Sequence, residues 1–593
     1  MFRTHQTTGG TPKPGPGTIP QQRTPPLSST PAARPSVSAL RERPRAQVLI
    51  VGGGINGVAT FRYLALQGID VALVERGDYC QGASGASSHM IHGGIRYLEN
   101  GEFRLVRESV QERNTLLAIA PHYVKPLRTT IPIFSTFSGI LSAPARFLTH
   151  RNSKPQERGA LLIKAGLMMY DAFAGSGRLT ERHRFHGRRR ALAELPALRP
   201  DVKYAATYFD ASVHNPERLT LDVLHDGLAA NPDSRASNYL SLVSEHDGVA
   251  RLRDELTGEE FGFTAPVIVN ATGAWVDATN DALGQPSSFM GGTKGSHIVL
   301  DSPELLAACG GREIFFEHSD GRIVLVYPLG DRVLVGTTDI EADISQPARC
   351  TPEEVDYFFD LVNHVFPDVA VSRDEIVYRF SGVRPLPRHD DTQPGFVSRD
   401  YRVEKRSGTG GSTTLSLVGG KWTTFRALGE QLGGEVLAVL GRTSGPDTSA
   451  LAIGGGVDYP RNDVEREQWI TARSHRATRD RLGVLLERYG TRADEVLDAV
   501  GPSDTLLRHC SELSVDELAH MARREQVGRL VDVFIRRTSL AFRGLVTADL
   551  VGECADVLAP VLGWDADRTA AERADTLRVL SEEHGVDFTP AAA

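Results

Sequence analysis

Three glycines and one acidic residue have the spacing of a dinucleotide-binding turn. Gly52, Gly54 and Gly57 form the pattern G-x-G-x-x-G, and Glu75 follows eighteen residues after the last glycine. In this pattern the first glycine permits a tight turn, the second lets the backbone approach a pyrophosphate, and the third lets a helix pack on a strand. The N-terminus of that helix would offer free N–H groups to the phosphates. Glu75 could bind both ribose hydroxyls and would repel a 2′-phosphate, which disfavours NADP.

Three further segments are rich in small residues, which would let a bulky ligand lie against the backbone. Residues 82–88 read GASGASS, residues 270–273 read NATG after a strand pattern, and residues 419–421 read GGK before a helix pattern. Each segment taken alone is equally typical of an ordinary loop. An elongated ligand contacted at four places is more consistent with FAD than with NAD, so the combination favours FAD.

The elements expected to position these residues form a βαβ unit. An apolar run begins at Ala46 and continues to Val51, as in strands that are buried on both faces of a parallel sheet. A helical pattern follows from Ile55 to about Leu66, and a second strand pattern covers residues 71–75. The glycine turn then follows the first strand, and Glu75 ends the second.

Beyond this unit the pattern changes twice. Residues 123–198 combine Pro-interrupted apolar pieces with a basic stretch at 182–190, which predicts an inserted subdomain. Strand patterns then recur, the later ones alternating as antiparallel strands do, at 268–271, 297–300, 323–326 and 332–335. After about residue 450 we expect helices without strands, at 479–489, 515–542 and 573–580.

Composition narrows the class of protein. The 593 residues are 40% hydrophobic and 24% charged, which excludes a fully disordered, collagen-like or small disulfide-stapled chain. No run of about 18 uncharged apolar residues is present, so we expect no membrane-spanning helix, although surface contact stays open. The net charge of −8 argues against nucleic-acid binding. Five cysteines without a CxxC pair indicate a cytoplasmic protein with no metal site.

These patterns predict an α/β fold with three regions. Residues 1–45 are Pro-rich and basic, with few large apolar residues, and should form a disordered tail. Residues 46–440 should hold a Rossmann-like FAD-binding domain (about 46–122, 199–280 and 380–440) interleaved with an antiparallel-sheet substrate domain (about 123–198 and 281–379). Residues 450–585 should form a C-terminal helical domain.

Several longer motifs point to one family. They read GGGINGVA from Gly52, HMIHGGIRYLE from His89, KGSHIVL from Lys294, DGRIVLVYPLGDRVLVGTTD from Asp320, SGVRPL from Ser381, SRDY from Ser398, GGKWTTFRAL from Gly419 and EQVGRLVDVFIRRT from Glu525. Together, over about residues 46–580, they resemble the FAD-dependent glycerol-3-phosphate dehydrogenases, including their oxidase branch.

The resemblance implies that sn-glycerol 3-phosphate is oxidised to dihydroxyacetone phosphate, with hydride transfer to flavin N5. This chemistry needs cations for the phosphate and a base for the hydroxyl proton. We expect His92 to accept the proton and Lys421 to polarise the alkoxide, although these roles could be exchanged. Arg96 and Arg384 are expected to recognise the phosphate and the hydroxyl, Arg384 also acting in catalysis, with Lys421 and Tyr97 beside them. A helix beginning near residue 94 would put His92 and Arg96 on one face.

The residues expected to bind FAD lie in the segments already described. They are Gly52, Gly54, Asn56, Gly57, Glu75, Arg76, Ser84, Ser87, Ser88, Ala271, Thr272, Gly273, Gly419, Gly420 and Thr423. The chain departs from the family at three places: His89 replaces a usual lysine, Ala274 replaces a proline, and NPERL at 215–219, with Glu217, replaces an Asp-Ala-Arg-Leu run. His297 fits either the wall of the site or a buried structural role.

The electron acceptor and the partners follow less directly from the sequence. The resemblance favours a quinone over oxygen, and we expect a homodimer. Residues 131–147, followed by Arg151 and Lys154, are apolar enough to enter a lipid interface, but such a segment is more often simply core. Two alternatives stay open: a related FAD-dependent oxidase of an amine, amino acid or other alcohol, and a non-catalytic flavin-binding module. The presence of four cationic or titratable candidates argues against the module.

Overall fold

The structure is a computed structural model, and it describes residues 34–95, 102–136, 159–174, 179–318, 322–388, 401–501 and 504–588. Its α-helices are α1 (Pro35–Glu42), α2 (Ile55–Leu66), α3 (Phe103–Ile119), α4 (Ala160–Ala174), α5 (Arg188–Glu194), α6 (Pro216–Ala230), α7 (Val276–Ala282), α8 (Pro303–Cys309), α9 (Pro352–Val365), α10 (Phe425–Val439), α11 (Asp463–Arg473), α12 (Arg479–Tyr489), α13 (Ala493–Val500), α14 (Val515–Arg524), α15 (Ala548–Leu562) and α16 (Ala566–Glu582).

The strands fall into four sheets. They are β1 (Val48–Val51), β2 (Val71–Val74), β3 (Met90–Ile91), β4 (Val124–Ile133), β5 (Arg184–Gly187), β6 (Tyr204–Val213), β7 (Arg235–Ser237), β8 (Leu240–His246), β9 (Val249–Asp254), β10 (Glu260–Thr264), β11 (Val267–Asn270), β12 (Met290–Leu300), β13 (Glu313–Glu317), β14 (Ile323–Leu329), β15 (Arg332–Gly336), β16 (Ile340–Glu341), β17 (Ile376–Pro387), β18 (Arg402–Ser407), β19 (Thr413–Val418), β20 (Leu506–Leu507) and β21 (Cys510–Ser514).

The first sheet is parallel except at one edge. Its strand order is β18-β19-β11-β1-β2-β7, and only β18 runs antiparallel to its neighbour. Every residue of β1, β2 and β11 is buried, because helices α2, α6 and α10 cover one face and strands β8–β10 the other. The predicted βαβ unit is confirmed, with the bounds of α2 as expected.

The second sheet is larger and mostly antiparallel. Its order is β16-β12-β15-β14-β13-β4-β6-β3, with β17 paired to β12 and β5 paired to β6. Helices α8 and α9 pack on one face, and the C-terminal helices share a hydrophobic core with the other face. This sheet contains β6 and all of β17, although we expected residues 199–280 and 380–440 to belong to the FAD-binding domain. The reason is that β6 pairs with β4 and β17 pairs with β12, and a strand pattern alone does not reveal such pairings.

The folded part of the chain begins before residue 46. Helix α1 buries Val37 and Leu40, which lie three residues apart on one helix face. The guanidinium of Arg34 donates to the carbonyl oxygen of Asn238 at 2.8 Å and to Asp254 Oδ1 at 3.1 Å. The expected boundary of the disordered tail at residue 45 is therefore wrong, and residues 1–33 lie outside the described residues.

The C-terminal region (α11–α16) is helical but interrupted. Helix α12 has the expected bounds, whereas the pattern over 515–542 is broken, because α14 ends at Arg524 and a π-helical turn occupies Val533–Arg537. The hairpin of β20 and β21 lies where no strands were expected. Within the described ranges, the chain forms no helix that is both long and apolar enough to cross a bilayer.

Candidate functional site

Four segments that are distant in sequence meet at one edge of the parallel sheet. Gly52 directly follows β1, Glu75 follows β2, Ala271 follows β11 and Gly419 follows β19. These strands are neighbours in the order β19-β11-β1-β2 and run parallel. Their carboxyl ends therefore lie side by side, which is the usual ligand-binding edge of such sheets.

The glycine turn is built for close backbone approach. Gly52 has a φ of +114°, and a Cβ atom there would lie 2.6 Å from the carbonyl oxygen of Ala271. A Cβ on Gly57 would overlap the carbonyl oxygen of Gly52. Gly54 precedes α2 and provides no side-chain cap. The N–H of Ile55, the first of α2, is taken by Ser84 Oγ, and the next N–H groups lie at a helix N-terminus, where a phosphate is favoured.

Glu75 is tied to the same turn. Its Oε2 accepts the N–H of Gly53 at 2.6 Å, and its Oε1 accepts the N–H of Gly77 at 2.8 Å. Burial raises the pKa of Glu75, and the two N–H groups oppose this shift. The neighbouring Arg76 lies over the ring of Trp275, 5.5 Å from its centroid, and so extends toward the segment after β11.

The small-residue loop at 82–88 joins the glycine turn to the segment after β19. Ser84 Oγ accepts the N–H of Ile55 at 3.0 Å, and its carbonyl oxygen accepts Trp422 Nε1–H at 2.8 Å. A Cβ on Gly382 of β17 would lie 2.5 Å from the Cβ of Ala86. Small residues are therefore required here partly because β17 packs directly on the loop.

Ser87 and Ser88 are engaged within the protein. Ser87 Oγ accepts the N–H of His89 at 3.2 Å, and Ser88 Oγ lies 2.8 Å from His297 Nε2. His297 is buried and stacked on Phe380, with ring centroids 4.8 Å apart. Burial, assisted by Arg384, lowers the pKa of His297 well below its usual range. The histidine is therefore neutral, which fits a structural role beside the loop.

The cradle has an unsatisfied polar group that a dinucleotide could bind. Asn56 Oδ1 is buried, and among the described residues it has no hydrogen-bond partner. Gly420 has a φ of +115°, and a Cβ there would lie 2.7 Å from Asn56 Nδ2. An unsatisfied buried acceptor beside the helix N-terminus is a cost that a bound ligand would remove. The residues present fit FAD.

One threonine joins the segments that carry the two proposed reacting groups. Thr423 Oγ1 accepts the backbone N–H of His92 at 3.2 Å and donates to the His92 carbonyl oxygen at 3.1 Å. Lys421, two residues earlier, donates from Nζ to Ser109 Oγ of α3 at 3.2 Å. The structure thus brings the segments of His92 and Lys421 together. Ser109 lies just after the HMIHGGIRYLE motif, but its residue type gave no signal of a role.

Arg384 lies in β17 and is fixed by the segment after β15. Its NH1 is 2.8 Å from Asp339 Oδ1, and its NH2 donates to Thr337 Oγ1 at 3.0 Å and to the Thr338 carbonyl oxygen at 2.9 Å. Asp339 is not among the residues predicted from the sequence, although it ends the GTTD part of a family motif. The ion pair fixes the direction of the guanidinium, as a phosphate-binding arginine requires.

Some predicted residues fall outside the described ranges. Arg96 and Tyr97 do so, and His92 itself lies in an irregular segment after β3, so the expected helical pairing of His92 with Arg96 stays a prediction. Most of the apolar segment 131–147 also lies outside. Its first three residues end strand β4, and Ile133 is buried, which places them in the sheet rather than at a surface.

Two departures from the family pattern lie near the loop at 82–88, where His89 is buried and Glu217 is half-buried. The His89 ring lies 5.1 Å from that of Phe542, its Nδ1 is 3.0 Å from the Val213 carbonyl oxygen, and burial lowers its pKa to about 4. Glu217 Oε1 would lie 3.2 Å from a Cβ on Gly85, and burial raises the pKa of this carboxyl to about 8. Burial therefore disfavours the charged form of both residues.

No group of three or more metal-ligating side chains occurs within the described ranges.

The sequence matches two described families. The family described as FAD dependent oxidoreductase matches residues 47–426, and the C-terminal domain of alpha-glycerophosphate oxidase matches residues 446–569. The glycerol-3-phosphate dehydrogenase of Synechocystis sp. is 32% identical over 549 residues, which cover 88% of this chain and 94% of that protein. The D-erythritol 1-phosphate dehydrogenase of Brucella abortus is 31% identical over 504 residues, 83% of this chain and 93% of that protein.

A solved structure shows the same fold. The glycerol-3-phosphate dehydrogenase of Bacillus halodurans, complexed with FAD, superposes with a TM-score of 0.71 at 22% identity, covering 94% of this chain and 99% of that one. The predicted fold class is confirmed: an α/β protein with a Rossmann-like domain, an antiparallel-sheet domain and a C-terminal helical domain.

Proposed function

The chain belongs to the FAD dependent oxidoreductase family, and from that premise we propose that it oxidises the secondary alcohol of sn-glycerol 3-phosphate to the ketone of dihydroxyacetone phosphate. FAD is its cofactor. The relatives named glycerol-3-phosphate dehydrogenase support this substrate, and so does the family matched by residues 446–569. The observation that carries the proposal is the Thr423–His92 hydrogen-bond pair, because it joins the segment of His92 to the segment that contains Lys421 at the cofactor edge.

The oxidation requires some groups from the cofactor and others from the chain. When bound, FAD supplies the two-electron acceptor, at N5, for the hydride that leaves the alcohol carbon. His92 takes the hydroxyl proton, and the ammonium of Lys421 stabilises the negative charge that develops on the alcohol oxygen. The bond to Ser109 Oγ orients that ammonium. The chain therefore supplies the proton acceptor and the stabilising cation that formation of the carbonyl group requires.

The substrate phosphate is assigned to Arg384, together with Arg96. Arg384 projects from a strand whose residue Gly382 packs on the loop at 82–88, so its segment adjoins the cofactor cradle. A guanidinium with its direction set by Asp339 is suited to a charge-assisted hydrogen bond with a phosphate. The relative that acts on D-erythritol 1-phosphate has a longer phosphorylated polyol as its named substrate, so chain length is the specificity to test.

We propose that the electrons pass to a quinone and that the protein works against the cytoplasmic face of a membrane. Helix α4 supports this with an outward apolar face, on which Leu161 and Met168 are 52% and 55% exposed, and Met169 is 40% exposed. Leu161 and Met168 lie seven residues apart, on one side of the helix. Three large apolar side chains exposed on one short helix favour contact with an apolar partner.

Basic residues flank this apolar face. Lys164 of α4 lies over the ring of Phe185 in β5, which carries the exposed Arg184, and the exposed Arg190 follows in α5. Both arginines are also ion-paired with glutamates, so the charge match with an anionic lipid surface depends most on Lys164 beside the apolar face. The expected occupant is therefore an anionic membrane.

Vesicle sedimentation tests this surface. The full chain should bind vesicles of phosphatidylglycerol and not those of phosphatidylcholine, and Met168→Glu should abolish the binding. Val464→Glu is the control, because Val464 is 66% exposed on α11, in another part of the chain. Absence of binding by the unaltered chain, or equal binding by both variants, would remove the surface from the proposal. The homodimer is tested separately by the molar mass in solution.

A substrate panel tests the reaction. With a soluble dye as acceptor, glycerol 3-phosphate should give the highest kcat/KM, above D-erythritol 1-phosphate, and amino acids should give none. Higher kcat/KM with the four-carbon polyol phosphate would transfer the assignment to that substrate. Turnover of an amine or amino acid would favour the alternative oxidase, and no turnover of any compound would favour the flavin-binding module. A comparison of the rate of reduction of a soluble quinone analogue with the rate of oxygen uptake then identifies the electron acceptor.

A further inference from the structure

The loop after β2 connects the cofactor turn to the C-terminal region. Within this loop, Glu75 binds the N–H of Gly53, and Cys80 donates its own N–H to the Gly53 carbonyl oxygen at 3.1 Å. A Cβ on Gly53 would lie 2.7 Å from the ring of Tyr79. Three residues of this loop therefore fix the middle of the G-x-G-x-x-G turn.

The same loop is held by two arginines of the π-helical turn Val533–Arg537. Arg537 donates to both oxygens of Asp78, at 2.7 and 2.9 Å, and Arg536 Nε donates to Asp78 Oδ2 at 2.6 Å. Asp78 and Arg537 are fully buried. Asp532 balances the second arginine, since its Oδ1 accepts Arg536 NH2 at 2.6 Å.

Neutral hydrogen bonds complete the contact. Tyr79 Oη donates to Gln526 Oε1 at 3.0 Å, and Asn238 Nδ2 donates to Asp78 Oδ1 at 2.7 Å and to the Gln526 carbonyl oxygen at 2.8 Å. A buried carboxylate that lost its cations would be strongly disfavoured. The loop can therefore hold this position only when the C-terminal region is docked.

We infer that Asp78 and Arg537 are positioning residues for FAD, through which docking of the C-terminal region and binding of the adenosine end of the cofactor favour each other. Glu75 and Asp78 lie on one short loop, so a shift of Asp78 moves the ribose-binding carboxylate and the turn that it holds. The coupling is reciprocal, because linkage between two binding events acts equally in both directions. It depends on FAD as cofactor and not on the substrate proposed above.

Titration of the full-length apoprotein with FAD, without substrate, tests the inference. Arg537→Met should raise the Kd for FAD by roughly 5- to 150-fold, the usual range for coupled sites. Arg492→Met is the matched control: Arg492 also joins the C-terminal region to the FAD-binding part, through Asp222 and Asp226, but it does not contact the loop. It should leave the Kd at the unaltered value. An unchanged Kd for folded Arg537→Met, or equal increases in both variants, would overturn the inference.

Hydrogen exchange of the unaltered chain gives a second test that does not depend on a variant folding. FAD should slow exchange of residues 525–537 more than exchange of residues 479–489, which belong to the same C-terminal region but lie in α12. Equal slowing of both segments, or no slowing of residues 525–537, would contradict coupling through Asp78.

Discussion

Thr423 holds His92 by both of its backbone polar groups, accepting the N–H at 3.2 Å and donating to the carbonyl oxygen at 3.1 Å. Lys421 lies two residues before Thr423, so a single side chain joins the backbone segments that carry the proposed base and the proposed cation. These groups come from the ends of β3 and β19, which belong to different sheets. The site therefore spans the junction of the two sheets.

Loss of either reacting group should lower kcat rather than raise KM. Removing a general base or acid usually costs about 10²- to 10⁴-fold, and we expect this in kcat for His92→Gln and for Lys421→Met. Steady-state kinetics at saturating FAD measure it, with bound flavin quantified for each variant. A kcat within a few-fold of the unaltered value in both variants would remove these residues from the chemistry.

Arg384→Ala should act mainly on KM. A charge-assisted hydrogen bond contributes about 1.5–3 kcal/mol, so kcat/KM for glycerol 3-phosphate should fall roughly 10- to 150-fold. Turnover of glycerol, which lacks the phosphate, should hardly change. Arg388→Ala is the control, since Arg388 is exposed and follows the end of β17. An equal loss with glycerol would show that Arg384 does not bind the phosphate.

The start of the ordered chain can be tested by truncation. A chain beginning at Arg34 should unfold at the same denaturant concentration as the whole chain. A chain beginning at Arg45 should lose about 3–6 kcal/mol, because it lacks the buried Val37 and Leu40, each contributing about 1.5–3 kcal/mol. Equal stability of the two truncated chains would show that α1 does not contribute.

A buried carboxyl in the large sheet should make stability depend on pH. Glu313 is fully buried, and its Oε2 accepts Thr129 Oγ1–H at 2.7 Å. Burial raises its pKa from 4.5 to about 8. Because the folded state binds this proton more tightly, its contribution is complete below pH 4.5 and is lost as the pH rises through about 8.

Glu313→Gln should therefore gain stability relative to the unaltered chain as the pH rises, since the amide cannot ionise. Thermal unfolding across this pH range measures the difference in Tm between the two chains. Glu304→Gln, on the exposed side of α8, is the control and should show a constant difference. A constant difference for Glu313→Gln as well would show that Glu313 is ionised in the folded protein.

The sequence predicted individual helices, strands and turns better than the strands and side chains that they contact. The bounds of α2 and α12 follow from periodicity, and Gly52 and Glu75 follow from a spacing that local backbone geometry imposes. The assignment of β6 to the large sheet depends on hydrogen bonds to β4, more than 70 residues earlier, and no local pattern specifies them. Ionic contacts such as that of Arg384 with Asp339 are equally non-local.

The order of residues 35–42 was missed for a related reason. Pro35 and the surrounding polar residues are typical of a disordered tail, and α1 is stabilised by burying Leu40 against strands that come much later in the chain. Composition of a short window cannot report such a tertiary contact.

Anaerobic single-turnover reduction of the bound flavin tests the central proposal most directly. Glycerol 3-phosphate should bleach the flavin completely, and deuterium at its C2 should slow the bleaching, because that C–H bond breaks as the hydride leaves. Glycerol at the same concentration should bleach it far more slowly. Equal rates with glycerol and glycerol 3-phosphate, or a flavin that stays oxidised with glycerol 3-phosphate, would contradict the assignment of this site to phosphorylated-alcohol oxidation.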